Sequence, residues 1–291
     1  MNPTIELDAQ GGQHMIYPAY AIGDAFYAYC PPAGCSRPED VKVVKFETPG
    51  TVANAMIAWR PMGVPHVATV VQVESESGTL DLGAYFECKS NCDTEDGWAG
   101  LGLMNAYVDR NIARIDPAVA LTLTPTGGAR MVLLGENDAG VPRLQYLACD
   151  SGCDDISRWG GLGLAESENL GAGVDIALDG AGEAHVVFTV NSDIFEFDCK
   201  EDCFSPDEAW TLTPVERGSE MKPDEIIPYA DCTVAAWFLR HPSVAADAQG
   251  HTYVVYRAED ISGGGTNHND PNKPHCRAGV DATYARHRSL P

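Results

Sequence analysis

The sequence predicts an all-β fold, specifically a five-bladed β-propeller made of four-stranded antiparallel blades. Three observations lead to this prediction. A unit of apolar strand, glycine turn and second short strand occurs five times along the 291 residues. Four of the copies continue into an aromatic strand that ends at a close cysteine pair, and in three of them a tryptophan and an apolar run follow. No stretch of useful length has a sustained 3.6-residue period, so helices are not expected.

The glycine turn gives the register of the repeats. A glycine with positive φ suits a tight turn between a first strand, A, and a second strand, B. The aligned glycines are Gly11, Gly63, Gly127, Gly182 and Gly250. Three residues after them come His14, His66, Arg130, His185 and Tyr253.

The ten cysteines predict a disulfide framework formed in an oxidising compartment. We expect each local pair to close the turn between strands C and D, and the two remaining cysteines to bond to each other. Zinc binding is disfavoured because the pairs are too far apart in the repeats to converge on one ion. The expected pairs are Cys30/Cys35, Cys88/Cys92, Cys149/Cys153, Cys199/Cys203 and Cys232/Cys276.

The repeat divides residues 1–291 into five blades of one domain. Their approximate limits are 2–50, 51–106, 107–166, 167–220 and 221–291. The fifth blade reaches strand C at Tyr284, close to the end of the chain. Its fourth strand is therefore missing or supplied by another segment, such as part of 226–240.

The charge and the cysteines restrict partners and location. Lys and Arg number 19 against 42 Asp and Glu, a net charge of −23, which disfavours nucleic acid and anionic membranes. No apolar run approaches the length of a membrane span, and no signal peptide is recognisable at the N-terminus. The disulfide pattern predicts part of a larger exported bacterial protein, at the cell surface, outside the cell or in the periplasm.

The repeats resemble bacterial surface and secreted β-propellers, including the sialidase-like and five-bladed glycosidase-like groups. The resemblance spans the chain as a pattern, and the sialidase motif S-x-D-x-G-x-x-W is absent. The glycosidase-like group has a catalytic carboxylate at an Asp-Pro step before strand A. Asp116-Pro117 matches this step, so the resemblance implies Asp116 as the catalytic candidate. Two carboxylates are needed, however, and a proline that begins a strand is the simpler interpretation.

Long connections on the face opposite the cysteine turns are the predicted place for ligand binding. They cover 104–118, 217–241 and 258–281. Basic residues are scarce in the chain but occur in these connections, where they either bind a ligand or pair with local carboxylates. The ligand-binding candidates are Asp116, Arg110, Arg114, Arg240 and His241.

Two sets of residues are candidates for a metal ion. His14, His66 and His185 occupy equivalent positions and could meet near one axis. Alternatively, each bonds to its neighbouring turn, as Arg130 and Tyr253 could also do. The second set is His268, Asp270 and His275, in a glycine-rich loop that could equally be solvated. A structural Ca²⁺ or another metal ion is therefore one possibility, and no cofactor is the other.

Three functions follow from these observations. The first is a non-catalytic binding or scaffold module that recognises a glycan or a protein through its long connections. The second is a glycoside hydrolase acting on a polysaccharide at the mouth of the propeller channel. The third is a metal-binding propeller that uses the equivalent histidines. The chain has no P-loop, nucleophile elbow or H-E-x-x-H motif, so we expect a binding module rather than an enzyme.

Overall fold

A computed structural model of the chain describes residues 3–19, 23–46, 48–59, 63–75, 78–106, 117–200, 202–205, 209–220, 237–260, 265–266, 274–275 and 281–288. These residues confirm the all-β prediction. They form antiparallel sheets with three short 3-10 turns, at Pro38–Asp40, Glu95–Gly97 and Ile156–Arg158. Within the described part of the chain, no helix has the length and apolar character needed to cross a membrane.

The chain divides into two compact units. Unit 1 is Met1–Glu168 with Phe204–Pro206. It contains three four-stranded sheets, each formed by consecutive strands. Sheet 1 is β1 (Thr4–Leu7), β2 (Gln13–Ala19), β3 (Asp24–Cys30) and β4 (Lys42–Phe46). Sheet 2 is β5 (Thr51–Ala58), β6 (His66–Ser75), β7 (Gly78–Cys88) and β8 (Trp98–Asn105). Sheet 3 is β9 (Val119–Leu123), β10 (Ala129–Glu136), β11 (Pro142–Cys149) and β12 (Gly160–Glu166).

Unit 2 is Asn169–Cys203 with Asp207–Pro291. Sheet 4 is β13 (Leu170–Leu178), β14 (Ala184–Val190), β15 (Asp193–Cys199) and β16 (Trp210–Arg217). Sheet 5 has three described strands, β17 (Trp237–Ala246), β18 (Thr252–Asp260) and β21 (Asp281–Arg288). Between the last two, β19 (Gly265–Thr266) pairs with β20 (Pro274–His275).

The sequence left the fourth strand of the last sheet missing or supplied by another segment such as part of 226–240, and residues 237–240 do not supply it. These residues begin β17, the first strand of sheet 5, because Trp237 pairs with Asp260 and Arg240 pairs with Arg257 in the ladder to β18. They are therefore already used as strand A. Residues 226–236 lie outside the described residues.

The turn between strands A and B has the predicted glycine in sheets 1, 3, 4 and 5. In sheets 1, 4 and 5 an aspartate closes this turn. Positive φ angles of 83 to 93° occur at Gly11, Gly127, Gly182 and Gly250. In sheet 1, Asp8 Oδ1 accepts hydrogen bonds from the backbone N–H groups of Gln10 and Gly12 at 2.8 and 2.6 Å. Asp179 and Asp247 make the same bonds in sheets 4 and 5. The aspartate thus satisfies backbone donors that the tight turn leaves unpaired.

The turn between strands C and D is closed covalently. Four predicted disulfides are confirmed: Cys30–Cys35, Cys88–Cys92, Cys149–Cys153 and Cys199–Cys203. Cys232 and Cys276 lie outside the described residues. In three sheets, a tryptophan indole N–H also donates to the carbonyl of the second cysteine. The pairs are Trp98–Cys92 at 3.1 Å, Trp159–Cys153 at 2.9 Å and Trp210–Cys203 at 2.9 Å.

Neighbouring sheets within each unit meet through their first strands. In unit 1, Thr4 Oγ1 of β1 accepts a hydrogen bond of 3.0 Å from the backbone N–H of Ile57 in β5. In unit 2, Asp175 Oδ2 of β13 accepts the equivalent bond of 2.9 Å from Val244 in β17. These two contacts occupy the same positions of the repeat. Sheets 1, 2 and 4 thus have strand A at the edge that contacts the neighbouring sheet and strand D at the opposite edge.

Candidate metal centre

The repeat places two side chains of strand C beside one side chain of strand B. The residue three positions after the turn glycine pairs with the residue just before the cysteine: His14 with Tyr29, His66 with Glu87, Arg130 with Ala148 and His185 with Asp198. The residue two positions earlier in strand C lies on the same face of the sheet. At this second position, sheets 1 to 4 have Tyr27, Tyr85, Tyr146 and Glu196.

In sheets 1 and 2 the tyrosine satisfies the histidine. His14 Nδ1 is 2.7 Å from the hydroxyl of Tyr27, and His66 Nδ1 is hydrogen-bonded to the hydroxyl of Tyr85. Burial lowers the pKa of the His14 imidazole, although Asp8 near its Nε2 opposes this shift. Each of these two histidines is thus bonded to a tyrosine of strand C in its own sheet, and His14 also lies 3.3 Å from Asp8 of the neighbouring turn.

Sheet 4 replaces the tyrosine with an acid. His185 Nδ1 is 2.8 Å from Asp198 Oδ1 and 3.4 Å from Glu196 Oε1. The relative exposures of His185, Glu196 and Asp198 are 0%, 0% and 2%, so the three side chains form a fully buried group. One ligand atom from each lies within 4.8 Å of the other two. We call this group the sheet 4 centre.

Two further residues of unit 2 surround the sheet 4 centre. Thr252 of β18 donates a hydrogen bond of 3.3 Å from its hydroxyl to Glu196 Oε2. Asp179, which closes the turn between strands A and B, has its Oδ2 4.0 Å from His185 Nε2. Among the described residues, this Nε2 atom is buried without a hydrogen bond. Carboxylates therefore hold the imidazole at Nδ1. Its Nε2 atom could still donate a hydrogen bond or bind a metal ion.

The carboxylates decide the charge of His185. Burial by itself lowers the pKa of the imidazole, but its hydrogen bonds and charge interactions with Asp198 and Glu196 raise it to about 9. An imidazolium supplies one positive charge against the two negative charges of the carboxylates. A divalent cation with a neutral imidazole would balance these three groups fully, and buried charge is tolerated only when it is compensated.

The ligand chemistry of the centre fits a first-row transition ion. One imidazole nitrogen with two carboxylates is a donor set for Zn²⁺ or Mn²⁺, whereas Ca²⁺ prefers oxygen ligands alone. Ligand atoms bound to one ion at about 2.1 Å lie no more than about 4 Å apart, close to the spacing of these side chains. Full burial leaves no approach for a substrate, so the arrangement suits a structural ion and not catalysis.

Metal-free protein is expected to lose stability as the pH rises from about 6.5 to about 9. The folded state raises the pKa of His185 from 6.5 to about 9, so its contribution is complete below the unfolded pKa and disappears above the folded one. This shift corresponds to about 3 kcal/mol. Denaturant unfolding at several pH values in EDTA measures it, with His185→Gln as control. Equal pH dependence in wild type and variant would contradict the expectation.

The other candidate residues are separated from this centre or are not described. Asp116, Arg110, Arg114, His268 and Asp270 lie outside the described residues. The backbone of His275 belongs to β20. Arg240 lies over the ring of Phe238 at 4.5 Å, and His241 has a positive φ of 49° where the register of β17 shifts. Arg217, a basic residue at the start of the connection 217–241, pairs with Glu220 at 3.3 Å.

Sequence reasoning found His185 but missed Glu196 and Asp198. Their signal was present in the aligned strand C copies AFYAYC, GAYFEC, LQYLAC and IFEFDC. The third residue before the cysteine is tyrosine in three copies and Glu196 in the fourth. Sheet 4 therefore departs from the pattern, because it has an acid where sheets 1 to 3 have a tyrosine, and the adjacent strand B carries a histidine.

No protein-family model and no curated protein sequence matches the chain. Similar solved structures include the polysaccharide lyase Uly1, at 10% identity and a TM-score of 0.46, covering 97% of this chain and 71% of that chain. Fructan 1-exohydrolase IIa from Cichorium intybus has 10% identity, a TM-score of 0.43 and coverages of 94% and 53%. A mutant of the GH43 protein BlXynB from Bacillus licheniformis has 10% identity, a TM-score of 0.42 and coverages of 99% and 57%.

This chain spans little more than half the length of the last two proteins. At these TM-scores and identities, the similarities assign neither a family nor an activity to the chain.

Proposed function

We propose that this chain is a non-catalytic β-sheet repeat module of an exported protein, in which the sheet 4 centre binds a structural Zn²⁺ or Mn²⁺ ion. The observation that carries the proposal is the complete burial of His185, Glu196 and Asp198 within ligand distance of one another. The ion would join β14 to β15 inside sheet 4, whereas the disulfide Cys199–Cys203 closes the turn between β15 and β16. Four disulfides support an oxidising compartment.

The scaffold part of the proposal rests on the repeat. The strand A contacts recur between neighbouring sheets inside each unit, as neighbouring blades of a propeller would make them. The five-bladed ring itself stays a prediction of the sequence.

The glycoside hydrolase alternative gains no support from the sheet 4 centre. Glu196 and Asp198 are a close carboxylate pair, but an acid and a base or nucleophile must reach the glycosidic bond. Their burial prevents this contact. Asp116, the catalytic candidate from the sequence, lies outside the described residues, so this hypothesis rests on the sequence pattern alone.

Metal analysis of EDTA-treated protein, followed by calorimetric titration with Zn²⁺, Mn²⁺ and Ca²⁺, tests the proposal. We expect one Zn²⁺ or Mn²⁺ per chain, a higher melting temperature on binding, and weaker binding of Ca²⁺ because imidazole is a poor calcium ligand. Glu196→Gln and Asp198→Asn should each weaken metal binding at least about tenfold, as loss of a ligand removes well over 1.4 kcal/mol.

Sheet 2 offers matched controls. His66 and Glu87 are the repeat equivalents of His185 and Asp198, with Tyr85 at the position of Glu196. His66→Gln and Glu87→Gln should leave the stoichiometry and affinity unchanged. Absence of any stoichiometric ion, or equal loss of binding in the sheet 2 and sheet 4 variants, would show that the centre is only an ion-pair cluster.

A further inference from the structure

A cleft of about 360 Å³ lies in unit 1 between sheet 1 and the disulfide turn of sheet 2. Its exposed lining is mostly apolar and includes the half-buried side chains of Tyr29 and Pro31. The turn of sheet 2 contributes Cys92 and the exposed side chain of Asp93. The volume lies within the range of about 300–1,000 Å³ that is typical of small-molecule sites.

The equivalent place between sheets 2 and 3 is occupied by a lysine side chain. Lys89 directly follows the first cysteine of its pair, as Pro31 does in sheet 1. Its Nζ lies 3.2 Å from Glu87 Oε2 and 3.3 Å from Asp154 Oδ2. Asp154 directly follows the second cysteine of the sheet 3 pair, as Asp93 does in sheet 2. The Lys89 ammonium thus links one sheet to the disulfide turn of the next.

Sheet 3 fills the same place with an aromatic ring and its own cation. Phe204, which belongs to unit 1 and directly follows Cys203, has its ring centroid 6.0 Å from that of Tyr146. Arg130 Nη2 lies 2.7 Å from Asp150 Oδ1. Arg130 also shares a face of sheet 3 with Tyr146, because it pairs with the residue two positions further along strand C.

Sheet 1 lacks these side chains but keeps the acid of the following turn. Pro31 stands in the place of Lys89 and supplies no ammonium group, and Tyr29 stands in the place of Glu87 and supplies no carboxylate. The acid at the next turn remains as Asp93. The cleft is therefore the place that Lys89 occupies one sheet further on, without the cation and with one of its two acids.

The position of Asp93 relative to the cleft is shown by its effect on a tyrosine. Burial raises the pKa of the Tyr27 hydroxyl, and nearby charges, Asp93 among them, raise it further. Burial likewise raises the pKa of Tyr85, with added contributions from Glu87 and Asp154. Asp93 is thus related to Tyr27 as Asp154 is to Tyr85, so the carboxylate lies where a cation would meet it.

Two other charged residues line the cleft. Asp40 is paired with Arg37, whose Nη2 is 3.0 Å from Asp40 Oδ1. Lys42 is exposed, and it forms no ion pair with any carboxylate in the part of the chain that the structure describes. Asp93 is therefore the acid that a bound cation would pair with, and Lys42 is a like charge that opposes its binding.

We propose that this cleft binds a small aliphatic amine, whose ammonium group pairs with Asp93 and whose alkyl stem packs on Tyr29 and Pro31. Such a ligand supplies what Lys89 supplies between sheets 2 and 3, a charged donor on an apolar stem. The face of a tyrosine ring also attracts a cation. The net charge of −23 favours the approach of cations over anions.

The proposal goes beyond the metal centre and does not depend on it, since the cleft belongs to unit 1 and the sheet 4 centre to unit 2. It also moves ligand binding away from the long connections that the sequence favoured. The disulfide turn of sheet 2 takes their place.

Calorimetric titration of the full chain with cadaverine tests the proposal, with pentanediol and glutarate as neutral and anionic probes of similar length. We expect saturable binding of one cadaverine per chain and none of the other two probes. Asp93→Asn should weaken binding about three- to tenfold, because it removes the ionic partner of the ammonium group. Pro31→Lys combined with Tyr29→Glu rebuilds the bridge of sheet 2 inside the cleft and should weaken binding at least about tenfold.

Asp154→Asn is the matched control. It removes the same charge from the equivalent position of the next sheet, where Lys89 already fills the place, and should bind cadaverine like the wild type. Lys42→Gln removes the like charge at the rim and should strengthen binding about two- to threefold. Circular dichroism checks that every variant folds, and Asp93→Asn carries the test if the double variant does not.

Binding of cadaverine should be the same in EDTA and in the His185→Gln variant, which separates this outcome from that of the metal proposal. No saturable binding of cadaverine, equal binding of pentanediol, or unchanged affinity in Asp93→Asn would overturn the proposal. So would an equal loss in Asp154→Asn, since it would show only a general attraction of cations to an acidic surface.

Discussion

Replacing His185 with leucine is expected to lower the free energy of unfolding of unit 2 by about 3–5 kcal/mol, because it leaves Glu196 and Asp198 as neighbouring buried carboxylates without their imidazolium. In EDTA the loss should be largest near pH 6, where the wild-type imidazole is charged. Saturating Zn²⁺ should stabilise the wild type alone and so widen the difference between wild type and variant. Denaturant unfolding and amide hydrogen exchange of β14 and β15 measure it.

Two variants separate a charge effect from a packing effect. His66→Leu in sheet 2 leaves the hydroxyl of Tyr85 without its imidazole partner but adds no unbalanced charge, so a cost of about 1–3 kcal/mol is expected. The triple variant His185→Leu, Glu196→Leu and Asp198→Leu should recover most of the stability that His185→Leu loses, since apolar groups can replace a buried ionic cluster. A triple variant no more stable than His185→Leu would show that the charges are not the cause.

Reduction of the disulfides is expected to have the largest total effect. Each closes a loop with a sequence separation of 4 or 5. A loop of this length contributes about 2 kcal/mol by restricting the unfolded chain. The four bonds lie in separate sheets, so their contributions should add to about 8 kcal/mol. That is comparable with the whole stability of a typical domain, so reduced protein should unfold at a much lower denaturant concentration.

Single pairs show whether the bonds act independently. Cys149→Ser with Cys153→Ser should cost about 2 kcal/mol, and the indole N–H of Trp159 should still reach the carbonyl of residue 153 and keep the turn closed. Amide hydrogen exchange should then speed up around that turn in sheet 3 and change little in sheet 4. If one pair alone caused unfolding of every sheet, the disulfides would not be the local staples that their spacing indicates.

The sheets, turns and staples were predictable because each depends on residues close in sequence. A glycine such as Gly182 makes the A–B turn, and Asp179 closes it with backbone hydrogen bonds that need no distant partner. Cys199 and Cys203 are near enough to bond whatever the rest of the chain does. The role of residues 237–240 stayed open because an apolar segment fits strand A or strand D equally well until its pairing with β18 is known.

The sequence by itself thus determined the repeated sheet, its register and four of its covalent closures, since these follow from local spacing. Only the tertiary structure decided what surrounds the residues that depart from the repeat or that look ordinary in the sequence. Glu196 is an ordinary acid in the sequence, and antiparallel pairing makes it a fully buried neighbour of His185. Gly100 and Gly102 look like turn or strand glycines, and only the packing shows that a Cβ atom would lie 2.6 Å from Phe86 at the first and 3.2 Å from Leu82 at the second. Burial and cross-strand neighbours arise from the whole fold, so they decide chemistry that local spacing cannot.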